Sequence, residues 1–175
     1  MTEPLPNPLP PCSGAKGDLE SLLNALRPQQ PARPSFTDSI WTLSDQPTAL
    51  RYANTDPERG IDFSVEDNPF LGAQVLDPRL VRIAPGASNE KHRHAHESLF
   101  LVMKGVAEIQ IGVTTQALQP GMVAFVPRWV VHQTHNPSQE TPLLMLAITD
   151  FGLTATVLGN YDSSTRLKLK RGSLQ

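Results

Sequence analysis

Cysteine is almost absent. Cys12 stands alone, so no intrachain disulfide can form, which fits a reducing compartment. Neither sign of charge dominates: 15 basic residues face 17 acidic ones, for a net charge of -2. That balance offers no electrostatic basis for binding nucleic acid or a membrane surface. No apolar run approaches the length needed to span a bilayer, and no basic-then-apolar leader opens the chain. A cytoplasmic protein with no membrane partner is expected. No internal repeat is visible. At 175 residues the chain suits one domain with a substantial core.

Proline is plentiful at one end. Pro4, Pro6, Pro8, Pro10 and Pro11 come first, followed by Pro28, Pro31 and Pro34. Residues 1–35 therefore read as an extension with little regular structure. Within it, Leu19, Leu22, Leu23 and Leu26 recur at helical spacing. A short helix near 18–27 is expected, capped by Asp18 and ended by Pro28. It would pack on the domain or on a neighbour.

Beyond residue 36 the pattern changes. Short apolar stretches appear at Ile40–Leu43, Leu80–Ile83, Leu99–Met103, Val106–Ile111, Met122–Val126 and Leu143–Ile148. Turn signals separate them, among them Asn54-Thr55-Asp56-Pro57, Pro85-Gly86, Gly105, Pro120-Gly121 and Asn136-Pro137. Closely spaced strands with such breaks predict an all-β sandwich or barrel. The lack of a helical period here argues against alternating βαβ units. The barrel is placed at 36–152. The segment 153–175, with Arg166, Lys168, Lys170 and Arg171 near its end, reads as a polar basic tail. Leu167 and Leu169 leave an edge strand open there.

The chemistry concentrates in Lys91-His92-Arg93-His94-Ala95-His96-Glu97-Ser98. On a strand, positions 92, 94, 96 and 98 share one face. Neutral imidazole is the commonest metal ligand among side chains. His132, after Pro127, supplies a further imidazole from a second segment. Two histidines from one strand and a third from a neighbour would hold a metal on one side and leave positions open. His135, of opposite parity, reads as structural or exposed.

These residues resemble the motifs of the cupin family. Gly86, His92, His94 and Gly105 match its first motif, and Gly121, Pro127, His132 and Asn136 its second. The resemblance implies a cupin jelly-roll β-barrel that encloses a ligand. It also implies a divalent metal on His92, His94 and His132, with iron(II) favoured and manganese, nickel or zinc as alternatives. A homodimer is expected by the same resemblance. Two positions depart from the pattern. The slot for the motif glutamate holds Ser98, or Leu99 in the longer spacing, and Trp129 replaces a turn glycine. Glu97 is adjacent, but strict alternation points it away, and only a bulge would bring it inward.

Three neutral imidazoles leave a divalent ion its full charge, which favours an anionic or chelating substrate. Three-histidine cupin sites resemble those of dioxygenases acting on thiols, β-diketones and aromatic acids. An iron(II) dioxygenase acting on a small molecule is therefore the leading expectation. A non-oxidative lyase or isomerase, and a non-catalytic metal- or ligand-binding module, are the alternatives. His96 is left open between acid/base group, substrate contact, fourth ligand and plain cavity lining. Ser98, Phe100, Thr134 and Arg82 are the candidate pocket residues, Arg82 as an anchor for a substrate carboxylate. Met145 and Thr149 are placed on a late strand that closes the pocket.

Overall fold

In the computed structural model, residues 39–43, 49–70, 73, 75–158 and 166–168 are described. The expected helix near 18–27 lies outside them. Two antiparallel sheets face each other. The first joins β1 (Leu50–Asp56), β2 (Ile61–Glu66), β3 (Asp77–Ile83), β10 (Leu143–Thr149), β5 (Ser98–Lys104) and β8 (Val123–Val126), in that spatial order. The second joins β11 (Arg166–Lys168), β4 (His92–His94), β9 (His132–His135), β6 (Ala107–Ile111) and β7 (Thr114–Leu118). Neighbours in a sheet are mostly distant in sequence, as in a jelly roll.

Alternation decides what each strand buries. On β2, Ile61 and Phe63 are buried while Asp62 is exposed. On β5, Phe100 and Val102 point inward and Leu99 stays 42% exposed. On β8, Val126 is fully buried and Ala124 packs on the core, whereas Val123 and Phe125 lie outside. Ile83, Leu143, Met145 and Ile109 complete a core that both sheets share.

The turns sit where glycine permits them. Gly105 between β5 and β6 has φ +84°, and a Cβ built there would lie 3.2 Å from the Pro142 carbonyl oxygen and 3.3 Å from Leu143 Cα. Both neighbours are backbone, so neither swings away. Gly105→Ala should cost about 1–3 kcal/mol, readable as a lower denaturant midpoint with an unchanged slope.

Several expected elements differ. Ile40–Leu43 forms no strand; Trp41 instead packs edge-on against Phe70, with ring centroids 6.3 Å apart. The predicted break at Asn54–Asp56 is the end of β1, and the turn proper is a 3₁₀ turn over Pro57–Arg59. The polar tail contains structure. Helix α1 (Phe151–Leu158) follows β10 directly, and Thr154 turns its buried side toward the barrel. Farther on, β11 pairs with β4 in the register Arg166↔His94 and Lys168↔His92. A free strand edge has unpaired N–H and C=O groups to satisfy, which explains why a short alternating segment is recruited there.

Candidate metal centre

β4 and β9 lie side by side, with His92 directly opposite His132. His94 is two residues on from His92, so all three rings share the inner face. Ring centroids lie 5.3 Å apart for His92–His94, 4.4 Å for His92–His132 and 4.6 Å for His94–His132. The three residues are 7%, 3% and 0% exposed, in the order His92, His94, His132. One candidate ligand atom from each lies within 4.8 Å of the other two.

The backbone sets the tautomer. His92 Nδ1 is 2.6 Å from the Glu90 carbonyl, His94 Nδ1 2.9 Å from that of His96, and His132 Nδ1 3.0 Å from that of Val130. A carbonyl only accepts, so each Nδ1 carries the proton and each Nε2 keeps its lone pair. Three neutral Nε2 donors from two paired strands fit a divalent ion, which takes imidazole nitrogen at about 2.0–2.1 Å.

The histidine run does not continue as one strand. β4 stops at His94, and Ala95–Glu97 bends the chain from the second sheet into the first. The bend wraps the cavity, so His96 and Ser98 still reach it. His96 is 3% exposed and stacks on His94, with centroids 3.5 Å apart and planes 10° off parallel. Glu97 points outward and is about half exposed. Its N–H donates to Asp150 Oδ1 at 2.7 Å.

A clasp holds this bend. Arg128 Nη1 donates to the Ala95 carbonyl at 2.7 Å, and Nη2 lies 2.5 Å from Asp150 Oδ2. The hydrogen bond to Asp150 raises the Arg128 pKa above its ordinary value, against opposing desolvation, with Glu97 adding to the effect. The guanidinium therefore keeps its charge. Trp129, in the motif glycine's place, adopts φ 62°. Its N–H donates to the His94 carbonyl at 2.8 Å. A left-handed conformation costs a non-glycine residue roughly 1–2 kcal/mol, so the turn geometry has been kept without the glycine.

The cavity has a volume of about 70 Å³. Its walls include Phe63, Val65, Arg79, Val81, Ser98, Phe100, Met145, Ala147 and Thr149 from the first sheet, together with Asn89, His92, His94 and His96. No carboxylate lines it among the described residues. Ser98 and Phe100 stand where parity puts them. Thr134 does not line the cavity; it is fully buried on β9, its N–H held by Asn89 Oδ1 at 2.7 Å. Arg82 faces the other side of β3, where its Nε is 2.5 Å from Glu66 Oε1. The cavity arginine is Arg79, of opposite parity. His135 lies outside, 3.0 Å from Ser88 Oγ.

A small two-sheet barrel with three histidines at its inner wall defines a class of β-barrel metal-site proteins. The comparisons narrow it. The cupin domain model matches residues 79–149. A cupin-2 domain from Rhodospirillum rubrum superposes with TM-score 0.52 at 18% identity, covering 72% of this chain and 84% of that one. A cupin 2 domain-containing protein from Halorhodospira halophila gives 0.50 at 21%, covering 68% and 75%. An uncharacterized protein of Streptomyces coelicolor is 28% identical over 86 residues, 49% of this chain and 75% of its own length. Residues 79–149 thus match the cupin domain, and the barrel has the cupin fold. Its histidine cluster could hold a divalent metal ion. Among the described residues, no helix is long and apolar enough to cross a membrane.

Proposed function

We propose that this protein is a metal-dependent cupin enzyme, an iron(II) dioxygenase acting on a small anionic or chelating substrate inside the barrel. One observation carries the reading: the imidazoles of His92, His94 and His132 converge beside a cavity that no carboxylate lines among the described residues. Bound at His92, His94 and His132, the metal would supply Lewis acidity and a place for dioxygen and substrate side by side. The protein does the rest. The carbonyls of Glu90, His96 and Val130 orient the three rings. Phe63, Phe100, Met145 and Val81 give the cavity dry walls, which strengthens every electrostatic contact inside. With no carboxylate lining the cavity among the described residues, a substrate anion is the natural counter-charge. His96, stacked on His94, is placed to contact the substrate at an imidazole nitrogen.

Oxygen uptake by iron-loaded protein, assayed anaerobically prepared against thiols, β-diketones and hydroxylated aromatic acids, tests this. Substrate-dependent uptake that disappears in His94→Ala is expected. Uptake no greater than that of the variant at full iron occupancy would reject the dioxygenase. Turnover with zinc or nickel in the absence of oxygen would instead favour a lyase or isomerase.

A further inference from the structure

Two polar groups of the cavity wall can donate to an anion. Arg79 enters it from β3, and Ser98 from the start of β5. Arg79 is fixed in place: its Nε and Nη2 both donate to Asp77 Oδ2, the former at 2.8 Å. Its guanidinium carbon lies 4.9 Å from the centre of the Phe151 ring. Those bonds occupy one edge of the guanidinium and leave Nη1, with its two N–H groups, without a protein acceptor among the described residues. Arg51 binds the same carboxylate, Nη1 to Asp77 Oδ2 at 3.1 Å. One buried carboxylate thus faces two guanidinium groups. The other acidic contact of Arg51, Asp67 at 3.7 Å, is half exposed and outside the cavity.

Ser98 Oγ is a second and independent sign. Ser98 is 1% exposed, and its hydroxyl has no hydrogen-bond partner among the described residues. A buried hydroxyl left unpaired is costly, and a ligand oxygen would satisfy it. The positions are linked to the metal centre. Phe151, under Arg79, packs edge-on against His96 at 5.8 Å, and His96 stacks on His94.

We propose that Arg79 Nη1 and Ser98 Oγ form an anion subsite that anchors the carboxylate of a short ligand whose other end reaches the three-histidine centre. This rests on the reading above that the cavity takes a small anion, and it names the residues and the ligand class. The pre-set guanidinium suits a planar carboxylate, since its orientation is already fixed before binding. A cavity of about 70 Å³ suits a ligand of a handful of heavy atoms.

The test uses the full chain loaded with cobalt(II), and needs neither oxygen nor turnover. Glycolate, 3-hydroxypropionate and 4-hydroxybutyrate are titrated by calorimetry and by the visible cobalt spectrum, beside uncharged diols of the same lengths. Wild type should bind at least one hydroxy acid more tightly than its diol. Arg79→Gln should weaken that acid about 10- to 100-fold and leave the diol and the cobalt affinity unchanged. Arg79→Lys should recover part of the loss. Ser98→Ala should weaken the acid by roughly 3- to 10-fold. Arg51→Gln, which touches Asp77 but lines no part of the cavity, should bind like wild type. The proposal is overturned if Arg79→Gln binds the acids normally, if it loses acids and diols equally, or if Arg51→Gln shows the same loss. Absence of saturable acid binding by wild type overturns it too. A failed oxygenase assay with Arg79-dependent acid binding would remove the dioxygenase and keep the subsite.

Discussion

His92→Ala should empty the metal centre. It removes one of three converging Nε2 donors and leaves two, from β4 and β9. Loss of an outer-shell partner alone typically lowers metal affinity 10- to 100-fold, and loss of a ligand should exceed roughly 100-fold. The clearest readout is linkage. A ligand present at 1,000 times its Kd stabilises the folded state by about 4 kcal/mol. Wild type should therefore melt on the order of 10 °C higher when zinc or nickel is added in that excess. The variant should show little or no shift. Chelator-treated wild type and variant each set their own baseline, because the His92 ring also meets Glu90, His94 and His132 without the ion, and the comparison is between the two metal-induced shifts. Equal metal content in the two purified proteins would remove His92 from the site.

The second large effect is structural. Asn136 is fully buried beside the β9 exit. Its Nδ2 donates to the carbonyls of Ile83, Ala84 and Thr141 at 3.1, 3.1 and 2.9 Å. Its Oδ1 accepts from the Ser138 N–H at 3.1 Å. One amide thus joins the end of β3, the turn before Gly86 and the loop leading into β10. Asn136→Ala strands several polar groups at once. The expected loss is about 3–4 kcal/mol, a drop of roughly 10 °C in Tm. Asn136→Asp should be worse, since a carboxylate would face three carbonyl oxygens without a proton to donate. A loss below about 1 kcal/mol in the alanine variant would show that water replaces the amide. In the family motif Asn136 is a matching letter; in the structure it is a three-way tie that positions the loops around the metal strands.

Much of the barrel was legible because strands carry a period of two. Leu80–Ile83, Leu99–Met103, Val106–Ile111, Met122–Val126 and Leu143–Ile148 overlap β3, β5, β6, β8 and β10. β7 went unseen because Thr114–Ala117 is exposed on both faces and carries no apolar signal. β11 is similar: three residues become a strand only because β4 offers them an open edge. Ile40–Leu43 shows the converse. It has the composition of a strand, and no partner takes it into a ladder.

Within the site, β3 has no clear alternation in its sequence. Arg79 and Arg82 flank Leu80 and Val81, two adjacent apolar residues that are both buried, at 1% and 7%. Such a pair fits either face, so alternation could not say which arginine points inward. Arg82 also looked available until Glu66 was brought beside it across the sheet. Thr134 has the right parity, yet depth along the strand places it away from the cavity.

The amino-acid sequence by itself determined the fold class, the pairing of two histidine segments, and the missing carboxylate at Ser98. Those are matters of residue type and spacing, which a single strand's geometry converts directly into a shared face. The tertiary structure decided which imidazole nitrogen is available, which arginine lines the cavity, and how a bent segment keeps His96 and Ser98 at its wall. Each of these depends on a carbonyl, a carboxylate or a sheet edge from a distant part of the chain. No local pattern records such a neighbour, and only the closed barrel supplies it.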